Sequence, residues 1–278
     1  MKKLVLYTVS LILTSNLLFS QENNCFEKHR LYSKLLQEER EYQIFFPANY
    51  DINPGKAYPV IYLLDGESFF PMLTVIQRAL TSGFLTETPE NIIVGILNTD
   101  RIRDFTPTKS ALGRDGISKT GKAVGGGSDM FLQFLTEELR TEIDSLYRTN
   151  KQNTLLGHSY GGLFTVNTLL NHTASFDTYI AIDPSLWWDN AKLAKEASEI
   201  LKNSTFDGKT LYVAVATQPR PDRDYIHFNV MNDFLEKQLP GACTNGLVYY
   251  SKRFLDENHG SIPLPGMWDA FKQIFRNK

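Results

Sequence analysis

Short runs of apolar residues with no polar alternation constrain this chain more than any other feature. Pro59-Val60-Ile61-Tyr62-Leu63-Leu64 is one, Asn91-Ile92-Ile93-Val94-Gly95-Ile96-Leu97 is another, and Tyr179-Ile180-Ala181-Ile182 and Leu211-Tyr212-Val213-Ala214-Val215 follow. A strand with one face in water alternates apolar and polar residues. One that is apolar throughout must be covered on both faces, as in a parallel sheet between helical layers. Further strands are predicted at 41–47, 154–156 and 247–250. Between the runs lie helical patterns. Ser68 to Leu80 predicts a crossover helix, and Ser128 caps a segment in which Phe131, Phe134, Leu135, Leu139, Ile143 and Leu146 recur at helical spacing. Leu163 to Leu170 predicts an apolar helix, and others are expected at 190–202, 228–238 and 267–275. Strands and helices alternate from end to end, which predicts an α/β fold: a doubly wound, mostly parallel sheet with helices on both faces.

The chain has 278 residues, 42% of them hydrophobic, and a formal net charge of −2. Those values fit one globular domain over 21–278 and give no electrostatic reason to expect nucleic acid or an anionic membrane as partner. Residues 1–20 read as a secretory signal peptide. Met1-Lys2-Lys3 is a short positive start, Leu4 to Phe19 is mostly apolar, and Ser20-Gln21 offers a small residue before a polar segment. Thr8, Ser10, Thr14, Ser15 and Asn16 dilute the apolar run, which is shorter than a spanning helix needs, so no stable membrane span is expected after cleavage. The expected location is periplasmic or extracellular. The two cysteines, Cys25 and Cys243, both fall in the exported part, where a disulfide between them and a pair of separate thiols are both open.

The chemistry concentrates in Gly157-His158-Ser159-Tyr160-Gly161-Gly162, which matches G-x-S-x-G between the strand ending at Leu156 and the helix beginning near Leu163. A serine on such a strand-to-helix turn has its hydroxyl exposed, and the flanking glycines remove side chains that would clash. Ser159 is therefore the expected nucleophile. A serine needs a base to take its proton, and in this arrangement the base comes on a loop after the last strand. Of His29, His158, His172, His227 and His259, only His259 lies there, in Asp256-Glu257-Asn258-His259-Gly260-Ser261. The carboxylate that orients the base is expected after the strand Leu211–Val215, which points to Asp224 or, alternatively, Asp222; a Ser–His dyad without a carboxylate is also open. The two oxyanion donors are expected to be the backbone N–H groups of Tyr160 and Glu67, with Gly66 letting the backbone approach the substrate. Trp187 and Trp188 follow a strand end on the ligand side of the sheet, where they could stack on an aryl or sugar group or pack inside. No His/Cys/Asp/Glu cluster has metal-ligand spacing, and Gly125-Gly126-Gly127 lacks the Gly-Lys-Ser/Thr of a phosphate loop.

Taken together, Tyr62-Leu63-Leu64-Asp65-Gly66, Arg101-Ile102-Arg103-Asp104-Phe105-Thr106-Pro107, Gly157 to Gly162, Pro184-Ser185-Leu186-Trp187-Trp188 and His259-Gly260-Ser261 resemble the Putative esterase family of α/β hydrolases. That group includes enterochelin-esterase-like and salmochelin-esterase-like enzymes, esterase D and feruloyl or acetyl xylan esterases. The resemblance implies a serine carboxylesterase working through an acyl-enzyme without a cofactor. Its substrates would be siderophore lactones, feruloyl or acetyl groups on polysaccharide, or short acyl esters. It also implies that Asp65 and Arg101 or Arg103 line the substrate cleft. Acyl transfer to a sugar hydroxyl and a secreted binding module on an inactive scaffold are the competing readings.

Overall fold

The computed structural model describes residues 26–82, 88–113, 117, 121–218 and 225–276. Its strands are β1 (Phe26–Ser33), β2 (Glu38–Phe45), β3 (Tyr58–Leu63), β4 (Ile92–Ile96), the short β5 (Lys109–Ser110) and β6 (Val124–Gly125), β7 (Thr149–His158), β8 (Thr178–Ile182), β9 (Thr210–Ala216) and β10 (Val248–Phe254). Helices α1 (Gly66–Thr81), α2 (Arg101–Phe105), α3 (Ser128–Gln133), α4 (Arg140–Leu146), α5 (Tyr160–Asn171), α6 (Trp188–Asn203), α7 (Tyr225–Asp233), α8 (Leu239–Ala242) and α9 (Pro263–Phe275) connect them. A π turn over Phe134–Leu139 joins α3 to α4.

The main sheet has the order β1-β2-β4-β3-β7-β8-β9-β10. β1 and β2 pair antiparallel, β2 meets β4 antiparallel, and every pairing from β4 to β10 is parallel. The apolar runs divide themselves between two cores by alternation. Val60, Tyr62 and Leu64 face the core formed with α3–α5, α6 and α7. Ile61 and Leu63 face the opposite core, closed by α1 and α9. A polar residue at either parity would have lost its water, which is why these strands read as unbroken hydrophobic stretches.

The strand expected at 41–47 is the second half of a hairpin whose first arm, β1, sequence patterning did not show. In FEKHRLYS, Lys28 and Arg30 lie on the exposed face of an edge strand, where no burial demands apolar residues. Residues 1–25 lie outside the described residues, and so does Cys25; Cys243 is exposed.

Candidate active site

β7 ends at His158 and α5 begins at Tyr160, so Ser159 alone makes the turn. It does so at φ 61°, ψ −117°, a conformation that costs a non-glycine residue about 1–3 kcal/mol and persists only where neighbours impose it. They do. Ser159 N–H donates to the Ile182 carbonyl at 3.0 Å, and the Ser159 carbonyl accepts from Ser185 N at 3.0 Å and Leu163 N at 2.9 Å. A Cβ on Gly157 would stand 2.3 Å from the Gly161 backbone, so the turn closes only with glycine there. The buried Ser185 also brings its Oγ to 3.2 Å from Ser159 Oγ.

His259 sits on the loop between β10 and α9 and places Nε2 2.9 Å from Ser159 Oγ. Asn258 shapes this loop, accepting from Gly260 N at 2.8 Å and Ser261 N at 3.3 Å through its side-chain oxygen. The elbow itself holds the loop from the other side: His158 Nε2–H donates to the His259 carbonyl at 2.9 Å.

The carboxylate at His259 is not the one expected from the sequence. His259 Nδ1 lies 2.6 Å from Oδ2 of Asp183, the residue that directly follows β8. Asp222 and Asp224, expected after β9, lie outside the described residues. Among the described residues it is Asp183 that engages His259 Nδ1. Asp183 is buried, and its other oxygen, Oδ1, accepts from Ala216 N at 3.1 Å and meets His227 Nε2 at 3.3 Å. Burial pushes this carboxyl up, but hydrogen bonds and charge attraction from His227 and His259 together hold it well below the usual carboxylate range. The signal available in the sequence was a lone carboxylate at the carboxyl end of a buried strand, where ligands bind in such sheets.

His158 behaves differently. Burial, then repulsion from His259, push its imidazole down to about 4, against a weaker opposing pull from the hydrogen bond to the His259 carbonyl. Its folded value lies below its unfolded value near 6.5, so the unfolded chain binds more protons between those two values. The stability that His158 contributes is therefore complete above about pH 6.5 and is lost as the pH falls toward 4. The full difference is about 3 kcal/mol. Denaturant unfolding at pH 7 and pH 4 should show this loss, and His158→Gln should flatten that part of the profile. An unchanged slope in the variant would refute the assignment.

Other expected site residues separate into supports and walls. Asp65, at φ 55°, is buried and gives both oxygens to Arg101, at 2.6 and 2.9 Å, while Asn98 Nδ2 donates to Oδ1 at 2.7 Å. Through Arg101 and Asn98 it fixes the loop between β3 and α1. Arg103 is engaged elsewhere: Nε donates to Asp104 at 2.7 Å and its two terminal nitrogens to Glu38 at 3.0 and 2.6 Å, in a cluster completed by the buried Arg40. Trp188 is buried and donates Nε1–H to the Thr108 carbonyl at 3.0 Å, so it packs. Trp187 is half-buried with its ring 5.8 Å from that of Tyr160. Arg101, one-third exposed, lies 5.3 Å from the Tyr160 ring and reaches the His158 carbonyl at 3.4 Å. Trp187 and Arg101 thus both lie against the ring of Tyr160, the residue that follows the serine.

Gly66 has a packing reason: a Cβ there would stand 2.7 Å from the Gly95 backbone, so glycine lets α1 start against β4. A Cβ on Gly161 would touch Asp65 and Leu64 at 3.4 Å, which places the start of α1 beside the start of α5. Glu67 and Tyr160 both lie in first turns, where helix N–H groups have no intrahelical acceptor and the dipole is positive. Among the described residues, no helix is long and apolar enough to cross a membrane.

Comparison with known proteins agrees with this geometry. Residues 33–246 match the family described as Putative esterase. The chain is 31% identical over 242 residues to ferri-bacillibactin esterase BesA of Bacillus subtilis (strain 168), covering 81% of each protein. It is 29% identical over 248 residues to a siderophore enterobactin esterase of Emericella nidulans, covering 77% of this chain and 80% of that protein. Among solved structures, an IroE-like serine hydrolase from Shewanella oneidensis superposes with a TM-score of 0.85 at 35% identity, over 90% of this chain and 80% of that one. With a mostly parallel sheet, a serine on the strand-to-helix turn and a histidine in reach, the chain belongs to the Putative esterase family of α/β hydrolases and is a serine esterase.

Proposed function

We propose that this protein is an exported esterase that cleaves siderophore esters through an acyl-enzyme on Ser159. The observation that carries the reading is the unbroken line of contacts from Ser159 Oγ through His259 to Asp183, at 2.9 and 2.6 Å. In this mechanism His259 Nε2 takes the Ser159 proton as Oγ attacks the ester carbonyl carbon. The oxyanion that forms is met by the N–H groups of Tyr160 and Glu67 at two converging helix starts. The intermediate collapses, His259 hands its proton to the leaving alkoxide, and the acyl group stays on Ser159. A water then loses a proton to His259, attacks the acyl carbon and releases the acid. Throughout, the Nδ1–H of His259 stays on Asp183, which holds the tautomer and balances the imidazolium charge.

The substrate class rests on two supports. The relatives named above are esterases of siderophores. Beside Ser159, the rings of Tyr160 and Trp187 and the guanidinium of Arg101 form a wall with apolar faces and one cation, suited to an electron-rich aryl group that carries negative charge. Polysaccharide-linked esters and short acyl esters are the alternatives. The purified protein should be given a catecholate siderophore lactone, a feruloylated or acetylated xylan and p-nitrophenyl acetate, with products identified by mass. A kcat/KM for the lactone at least about 100-fold above the other two is expected, the scale of discrimination a shaped pocket reaches. Equal or higher turnover of the xylan ester would overturn the substrate assignment. Export rests on the leader read in residues 1–20, and a mature N-terminus near Gln21 in the secreted or periplasmic fraction is the corresponding check.

A further inference from the structure

Asp183 is gripped from two sides by imidazoles. One is His259. The other, His227, comes from α7, the helix that follows β9, the very strand after which the sequence predicts the acid. His227 is 2% exposed, and its Nε2 lies 3.3 Å from Asp183 Oδ1. Its ring stands edge-on to that of His259, with centroids 6.5 Å apart at 81°, and it also touches Phe228. Among the described residues His227 Nδ1 has no hydrogen-bond partner, whereas Nε2 faces a carboxylate. The ring proton therefore belongs on Nε2, where it can be donated.

We infer that His227 is a positioning residue for the esterase reaction: its Nε2–H fixes Oδ1 of Asp183 so that Oδ2 stays aimed at His259 Nδ1. This deepens the proposed mechanism and rests on Asp183 acting as the acid there. The geometry explains why a second donor is needed. Asp183 stands at φ 43°, outside the strand, so the ladder no longer fixes its side chain. Ala216 N reaches Oδ1 at 3.1 Å, but a single donor to one oxygen leaves the carboxylate free to swing about that contact. A donor from a third element removes the swing. The division of labour is physical: β8 supplies the charge, β9 and α7 supply the donors that orient it, and the loop before α9 supplies the base.

The test is a double-mutant cycle on the full chain. His227→Phe keeps a ring for packing against Phe228 and His259 but has no donor, while His227→Gln can still present an N–H. His227→Phe should lower kcat roughly ten- to a hundredfold, the scale of one hydrogen bond to a charged group, with KM within about twofold. His227→Gln should recover to within about threefold of the parent. In the Asp183→Asn background, adding His227→Phe should cost nothing further, because the group it positions is gone. Thermal melting of each variant checks that the fold survives, and if His227→Phe does not fold, His227→Leu takes its place in the cycle. A kcat for the donor-less variant within twofold of the parent, a Gln variant no better than Phe, or additive losses in the cycle would overturn the inference. Failure of the acid reading shows separately, as an Asp183→Asn enzyme that keeps its activity.

Discussion

Ser159→Ala is expected to reduce kcat for any ester substrate by roughly 10⁴-fold or more, with the melting temperature unchanged or raised. The size follows from the chemistry. Without Oγ no acyl-enzyme can form, and what remains is the smaller acceleration that an oxyanion site and substrate binding give to direct attack by water. The stability expectation follows from exposure and strain: Ser159 is only partly buried, and alanine at φ 61° bears much the same backbone cost. The variant loses only the Oγ contacts to His259 and Ser185. A fluorophosphonate probe should add one label to the parent and none to the variant, with the labelled peptide containing Ser159. A variant that keeps even a tenth of the parent kcat, or a label on another serine, would sink the assignment. His259→Ala should fall by a comparable factor, and the double variant should be no slower than either single one, since the two side chains act as a unit.

The parts of this molecule that could be read in advance are those where one physical demand dominates. Val60–Leu64 could only be a strand covered on both faces, because no water reaches either parity of its side chains. Gly157-His158-Ser159-Tyr160-Gly161 announces a tight turn because backbone crowding leaves no room for a Cβ at Gly157. Chain order was enough to separate His259 from four other histidines, and the structure brings it to Ser159. The arguments that failed are those in which several solutions satisfy the same demand. β1 escaped notice because an edge strand need not be apolar. Trp187 and Trp188 are adjacent and chemically alike and left both stacking and packing open; Trp188 turns inward to Thr108 while Trp187 stays half-exposed. Asp65 and Arg101 were both read as facing the substrate; Asp65 is buried against Arg101, while Arg101 stays one-third exposed beside Tyr160.

The acid is the clearest such case, and it carries the second large prediction. β8 and β9 are parallel neighbours whose carboxyl ends lie side by side, so strand order alone does not decide which of them supplies the carboxylate to the base before α9. Sequence order favours the later strand; the hydrogen bonds favour the earlier. Asp183→Asn should therefore lower kcat by about 10³–10⁴-fold with KM changed little, since an amide can hold the imidazole in the wrong tautomer and cannot offset its charge in the transition state. The buried position sharpens the expectation: Asp183 is enclosed by His259, His227 and the Ala216 amide, so water cannot readily substitute for the lost charge. Asp222→Asn and Asp224→Asn should stay within a few-fold of the parent. Circular dichroism and melting separate loss of function from loss of fold, and Asp183→Glu adds a geometric control, because the charge without the reach should recover only part of the rate. An Asp183→Asn enzyme within tenfold of the parent, beside a steep loss in either Asp222→Asn or Asp224→Asn, would return the acid to the segment after β9 and leave Asp183 as a structural brace for the histidine loop.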